Sequence, residues 1–248
     1  KDIPVGMDFE VKQVFYSYGD VLALDGISFS ANRGQIVGLV GENGAGKSTI
    51  IKNIYRYLKP DSGTITLDGK DIFSYPSDAY PVSYIPDIPV FYEELSLLEH
   101  LHFTKAIYPL SGVSISEIME RLDLKDHQNK IPAALSKGTR QKLMIAMALM
   151  REYELLIADE PFSGLDPKQI AALKALLLEQ KEKGKIVLLS NHLLDVTENI
   201  CDQYVVIKRG KCLLSGSKQN LLSATQLPEG STMEAVYLKL VAQDEISG

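Results

Sequence analysis

Residues 41–49 read GENGAGKST, a G-x-x-x-x-G-K-[ST] pattern with Gly41, Gly46, Lys47 and Ser48 at its fixed places. Such a loop lets backbone N–H groups converge on phosphate oxygens, and Asn43, Gly44, Ala45 and Thr49 belong to the same cradle. Lys47 reaches the outer phosphates as a point charge, and the Ser48 hydroxyl is a ligand for Mg²⁺. A helix starting here adds the positive end of its dipole. Residues 155–161, LLIADEP, close an apolar run with two carboxylates. Asp159, at the C-terminal edge of a strand, is placed to hold Mg²⁺ beside a bound nucleotide, usually through water. Glu160, one residue on, points differently and is a candidate general base for an attacking water. LSKGTRQ at 135–141, taken alone, is a helix start with Ser136 as N-cap and Gly138 allowing close backbone approach. In SYIPDIPVFYEE, at 83–94, Asp87 stands alone between Pro86 and Pro89. A solvated loop aspartate is the plain reading of it.

These groups need elements to hold them. The first forty residues alternate apolar and polar in FEVKQVFYSYG and ISFSANRG. That predicts short antiparallel strands with turns at Gly19-Asp20 and Asn32-Arg33-Gly34. IVGLV (36–40) is a buried strand leading into the glycine loop, and a helix is expected from Ser48 to Leu58. TITLDGKDI turns at Asp68-Gly69. Residues 96–124 read as two helices, and QKLMIAMALM (141–150) as a helix buried all round. LLIA and KIVLLS are short buried strands. Between them PKQIAALKALLLEQKEKGK begins with Pro167 and ends near Gly184, an amphipathic helix with Ile170, Leu173, Leu176 and Leu177 on one face. LLDVTENI is helical, and QYVVIKRGKCLLSG is a hairpin turning at Arg209-Gly210. The strand–helix–strand order in the middle argues for a parallel α/β sheet.

Composition narrows the class. The chain of 248 residues is 45% hydrophobic and 23% charged, an ordinary globular balance with room for a sizeable core. A net charge of −6 argues against non-specific nucleic-acid binding. Cys201 and Cys212 are too few and too oddly spaced for a disulfide framework or zinc site, and read as reduced, partly buried thiols. No apolar run is long enough to cross a membrane, and no signal peptide opens the chain. The polar KDIPVG reads as a ragged terminus, with Met7 close to the native start.

GENGAGKST, LSKGT, LLIADEP, SGLD (163–166) and SNHLLD with His192, in this order and spacing, resemble the nucleotide-binding subunits of ABC (ATP-binding cassette) transporters. The resemblance runs from about Phe9 to Gly216. It implies an α/β P-loop NTPase (RecA-like) core with an N-terminal antiparallel β subdomain and an α-helical signature subdomain. The whole of 1–248 would be one ABC ATPase domain, with the helical part at about 88–150 and a C-terminal tail at about 217–248. It implies ATP and Mg²⁺ as ligands and ATP hydrolysis with Glu160 as base. His192 would touch the γ-phosphate. Tyr18, 29 positions before Lys47, stands where the family keeps an aromatic that stacks on adenine; otherwise it is one more strand aromatic beside Phe15 and Tyr16. Ser136 and Gly138 would contact the γ-phosphate on a second ATPase subunit, so that a homodimer sandwiches two ATP molecules. A separate transmembrane permease would dock on the helical region, placing the chain at the cytoplasmic face of a bacterial membrane. Phe91, Tyr92 and Leu95 are either contacts to it or core packing. The remaining histidines, His100, His102 and His127, match no motif and read as ordinary helix and surface residues.

The sequence departs from the family pattern twice. The family commonly has LSGGQ where this chain has LSKGT; Lys137 either faces a partner's ATP or is solvated. The family usually has glutamine where Asp87 stands, in a loop sensing Mg²⁺ and the lytic water. Acidic residues there are similar to those of bacterial Ecs-type exporter ATPases, and Asp87 becomes a metal contact through water. The short stretch after the cassette favours export over import. A translation or DNA-repair ATPase of the same family is the alternative.

Overall fold

The computed structural model describes residues 8–108 and 112–247, so KDIPVG and Met7 lie outside the described residues. Strands β1 (Phe9–Tyr18) and β2 (Val21–Ala31) pair antiparallel, and β4 (Ser62–Leu67) and the short β5 (Lys70–Asp71) extend them into a sheet ordered β2-β1-β4-β5. Phe9 and Val11 share one face of the pleat, and a bulge at Gln13, with a left-handed φ of 48°, brings Val14 onto the same buried side.

The second sheet holds the chemistry. Its order is β10-β9-β3-β8-β7-β6, from β3 (Ile36–Val40), β6 (Val82–Ile85), β7 (Leu155–Asp159), β8 (Ile186–Ser190), β9 (Gln203–Lys208) and β10 (Lys211–Gly216). All its pairings are parallel except the edge hairpin β9–β10. β3, β7 and β8 are buried at every position, which explains why they read as unbroken apolar runs. Alternate residues feed two cores. Ile36, Leu156, Ala158, Val187 and Leu189 face α4 (Lys137–Met150) and α5 (Pro167–Glu182). Val37, Leu39, Leu155, Ile157 and Leu188 face α1 (Lys47–Ile54) and the antiparallel sheet. Parallel strands put the C-terminal ends of β3, β6, β7 and β8 on one edge, where α/β sheets bind ligands.

The helical region contributes α2 (Leu97–Ile107), α3 (Ile115–Arg121) and α4. Ser96 caps α2 in a reciprocal box with Glu99, Ser114 caps α3, and Asp166 and Gln169 form a second box ahead of Pro167 on α5. Buried residues run round α4, from Thr139 through Leu143 and Ala146 to Met150, as its sequence predicts.

Three expectations change, and the C-terminal tail is given its elements. The helix after the glycine loop stops at Ile54 rather than Leu58, because Arg56 turns to a left-handed φ of 66° and donates to the carbonyls of Ile72 and Tyr75. The LLDVTENI helix is only α6 (Leu194–Thr197). The C-terminal stretch is two helices, α7 (Lys218–Thr225) and α8 (Met233–Ser247), packed on a third apolar cluster. His100 is fully buried: Nε2 accepts from the Tyr92 N–H at 3.1 Å while Nδ1 meets the Ser96 carbonyl at 2.8 Å. It therefore pins the segment after Asp87 onto α2, and is no surface residue. Phe91 stands edge-on to the His100 ring and is partly buried against the core, whereas Tyr92 is 54% exposed.

Candidate functional site

The glycine loop leaves β3 at Gly41 and ends at Gly46, the N-cap of α1. Gly46 has a φ of 114°, a conformation closed to other residues, and no side chain caps the first turn, so its N–H groups are free to bind. Gly41 is required for a different reason: a Cβ there would lie 2.5 Å from the Ile207 carbonyl oxygen. The loop turns through an Ala45 N–H bond to the Glu42 carbonyl at 3.1 Å, and the Ala45 carbonyl accepts from Gly210 at 2.8 Å. Asn43, Gly44 and Ser48 are exposed at its mouth, while Ala45, Lys47 and Thr49 are buried.

Lys47 is the most informative of these side chains. It is 7% exposed, and its Nζ has no hydrogen-bond partner. Burial pulls its pKa down, while the charges of Glu160, Asp159 and Asp87 oppose that fall. A buried ammonium without a partner is costly unless a ligand supplies one, and a phosphate oxygen does so.

Asp159 ends β7 beside Ser190 at the end of β8. The Ser190 hydroxyl donates to Oδ1 at 2.6 Å, and the Tyr84 hydroxyl approaches Oδ2 at 3.4 Å. Burial first, then the charges of Asp87 and Glu160, push the Asp159 carboxyl above the usual range, against the pull of the Ser190 bond. Such a carboxylate gains from a cation. Among the described residues no group of three or more His, Cys, Asp or Glu is set to chelate a metal alone. The Asp159 carboxylate and the exposed Ser48 hydroxyl are oxygen donors of the kind Mg²⁺ accepts, since it keeps waters and takes phosphate oxygens.

Glu160 takes a left-handed φ of 48°, held by its N–H bond to the Ser190 carbonyl at 3.0 Å. This strained conformation swings its side chain away from that of Asp159 and onto His192. His192 Nδ1 lies 2.8 Å from Glu160 Oε2, and the His192 N–H points to the same oxygen at 3.4 Å. Gly41, Asn43, Asp87, Glu160, Ser163 and His192 line one pocket, so the structure brings together Asp87 and the groups flanking the glycine loop. Tyr18 reaches α1 through its hydroxyl, 3.3 Å from Thr49 Oγ1, with its ring 43% exposed and edge-on to Tyr16. That leaves a ring face at the mouth of the loop.

Ser136 and Gly138 lie elsewhere. The Ser136 hydroxyl accepts from the Thr139 N–H as N-cap of α4, and Gly138 packs within 3.2 Å of Gly164 and Gln169 at its Cβ position. Among the described residues no hydrogen bond joins either to the glycine loop. Lys137 is exposed, in line with the solvated reading, and its aliphatic stem lies across Gly164. Ser190 and Tyr84, which hold Asp159, were not singled out from the sequence. The β7–β8 register that sets Asp159 against Ser190 is the signal that finds the first of them.

Residues 24–163 match the ABC transporter family. The ABC-type transporter ATP-binding protein EcsA of Bacillus subtilis (strain 168) is 37% identical over 240 residues, 94% of this chain and 96% of that protein. The uncharacterized ABC transporter ATP-binding protein YthP of the same organism is 32% identical over 247 residues, 97% of this chain and 98% of that one. A solved structure described as the ATP binding subunit of an ABC transporter superposes with a TM-score of 0.87 at 36% identity, covering 95% of this chain and 100% of the other.

Proposed function

The chain belongs to the ABC transporter family as an ATP-binding subunit with ATPase activity, the kind that partners a transmembrane permease, and we propose that it uses ATP to drive export through such a permease. The observation that carries the site assignment is the buried Lys47 ammonium without a partner, beneath a loop of free N–H groups and facing Asp159 and Glu160. In this reading Gly41, Asn43, Gly44, Ala45, Gly46, Lys47 and Thr49 cradle the phosphates and Tyr18 stacks on adenine. Ser48 and Asp159, with Asp87 through a water, hold Mg²⁺. The ion would neutralise phosphate charge. Glu160 is the base that takes the proton of the attacking water, and the His192 ring orients its carboxylate.

Two chains would close head to tail, because Ser136 and Gly138 stand apart from their own glycine loop and a second copy delivers them. No helix among the described residues is long and apolar enough to cross a membrane, and in this reading a separate permease supplies the span. The whole of 1–248 acts as one ATPase unit held to the membrane by that permease. Ile88, Val90, Tyr92 and Ile107, all more than half exposed, supply apolar surface for docking on the helical region. Export follows from the resemblance to Ecs-type exporters, for which an acidic residue is the expectation where Asp87 stands.

The test is Glu160→Gln. The variant keeps ATP affinity while turnover falls by roughly 10²–10⁴-fold, the usual contribution of a positioned base. Near-native turnover removes Glu160 from the role.

A further inference from the structure

Helix α4 is tied to the segment that carries Glu160. Gly138 and, three residues on, Gln141 share one face of α4, and that face lies against residues 160–166. Gln141 is 3% exposed, and its neighbours along the helix include the buried Leu143, Ile145 and Ala146. Its amide has a specific partner there: Nε2 donates to the Pro161 carbonyl at 3.0 Å, a buried bond. A buried carbonyl without a donor is costly, which accounts for a glutamine in this apolar setting.

Pro161 directly follows Glu160, and the backbone between them is held at each step. The Glu160 N–H donates to the Ser190 carbonyl at 3.0 Å. The Glu160 carbonyl accepts from the Ser163 N–H at 3.2 Å, closing a β-turn with Pro161 and Phe162 at its centre. Phe162 is buried in the same apolar cluster as Leu143 and Ala146 of α4. The bond that closes a β-turn does not hold the turn's central peptide; here the Gln141 amide holds it. Glu160 keeps its left-handed φ of 48° because its surroundings over-determine the backbone, and Gln141 supplies one of those restraints from another element.

We propose that Gln141 is a positioning residue for hydrolysis, which fixes the aim of the Glu160 carboxylate from α4 through the Pro161 peptide. The inference rests on the assignment of Glu160 as the base. Gln141 lies outside the phosphate cradle, so its loss appears in the chemical step and not in nucleotide affinity.

Two variants of the full chain test it. Gln141→Met keeps the length of the side chain and removes the donor. Gln141→Glu keeps the shape and puts an acceptor oxygen in the donor's place. Turnover is measured for each below its melting temperature, and Mg-ATP affinity by calorimetry with each change added to Glu160→Gln. Both variants lower kcat roughly 10- to 100-fold, the effect of displacing a reacting group by up to about 1 Å, while KM and Kd stay within about twofold of the parent. The two changes disturb packing differently, so a shared loss of kcat with intact Kd reports the missing donor. Ser83→Ala is the control on the same helix. It loses the buried bond from the Ser83 hydroxyl to the Ala148 carbonyl at 2.8 Å, at the far end of α4, and lowers the melting temperature without changing kcat. A native kcat in either Gln141 variant, a matching fall in Ser83→Ala, or a loss of ATP affinity in place of kcat overturns the role. Near-native turnover in Glu160→Gln alone instead overturns the assignment of the base.

Discussion

Asp87 brings a full charge into a pocket shared with Glu160, and its field is felt at both Lys47 and Asp159. In the proposed site that charge would oppose the phosphates without a metal, and with Mg²⁺ it would gain a partner through water. Replacing it with glutamine therefore narrows the gap between ATP affinity with and without Mg²⁺. One unit charge at this range in a mostly aqueous pocket is worth about 1 kcal/mol, so the ratio of the two affinities shrinks roughly fivefold in Asp87→Gln. Titrations with Mg²⁺ and with chelator read it, and an unchanged ratio rejects the role. At this scale the sequence was most legible where a motif fixes residue types, as at Gly46, Lys47 and Asp159. It was silent at Ser190 and Tyr84, because a serine or tyrosine acquires a partner only once the strand register is known. It misled at His100, whose ring fills the turn after Asp87 by meeting the Tyr92 N–H and the Ser96 carbonyl, partners that only the folded turn brings to it.

Elements were legible in proportion to how cleanly their periodicity shows. The buried strands β3, β7 and β8 stand out as short β-branched or leucine runs, and α5 announces itself with Asp166, Pro167 and a closing glycine. In α8 the inward set Met233, Val236, Tyr237 and Leu240 has helical spacing, but Leu238 and Val241 fill the other faces and blur it. The join between elements is testable too. Arg121 on α3 is paired with Glu179 on α5, and Lys183 adds a bond of 2.7 Å to the same carboxylate. These bonds hold the Glu179 pKa at about 2, well below its ordinary 4.5. The folded state therefore binds this proton less readily than the unfolded chain. The stabilisation is full above pH 4.5 and is lost as pH falls through about 2. Glu179→Gln should cost about 1 kcal/mol at neutral pH, discounted for its partial exposure. Its melting temperature should also fall less than that of the native chain between pH 4.5 and 2. Parallel pH curves would show that the pair does not tie α3 to α5.

For the whole molecule the question is what would close the two copies of the proposed dimer. Each chain carries a net charge of −6, and each ATP adds more negative charge to the face that must meet its mate. Long-range repulsion would therefore oppose association, and in the proposed dimer local contacts would have to overcome it: Ser136 and the first turn of α4 against the other copy's phosphates, where a helix N-terminus favours anions. Because the repulsion acts over distance and the contacts act at hydrogen-bond range, salt separates them. At 0.1 M the screening length is about 10 Å, and at 1 M about 3 Å. The ATP-loaded Glu160→Gln chain should thus dimerise more tightly as salt rises over this range. Gly138→Asp presses its new side chain into Gly164 and Gln169 and places a carboxylate at the α4 N-terminus, facing the second copy's ATP. It should abolish the dimer while each monomer still binds ATP, because no hydrogen bond among the described residues joins α4's first turn to its own cradle. Sedimentation of both chains with Mg-ATP across the salt series decides the point. A Gly138→Asp chain that still dimerises, or a native interface that weakens steadily with salt, would mean that the two copies meet through some other face.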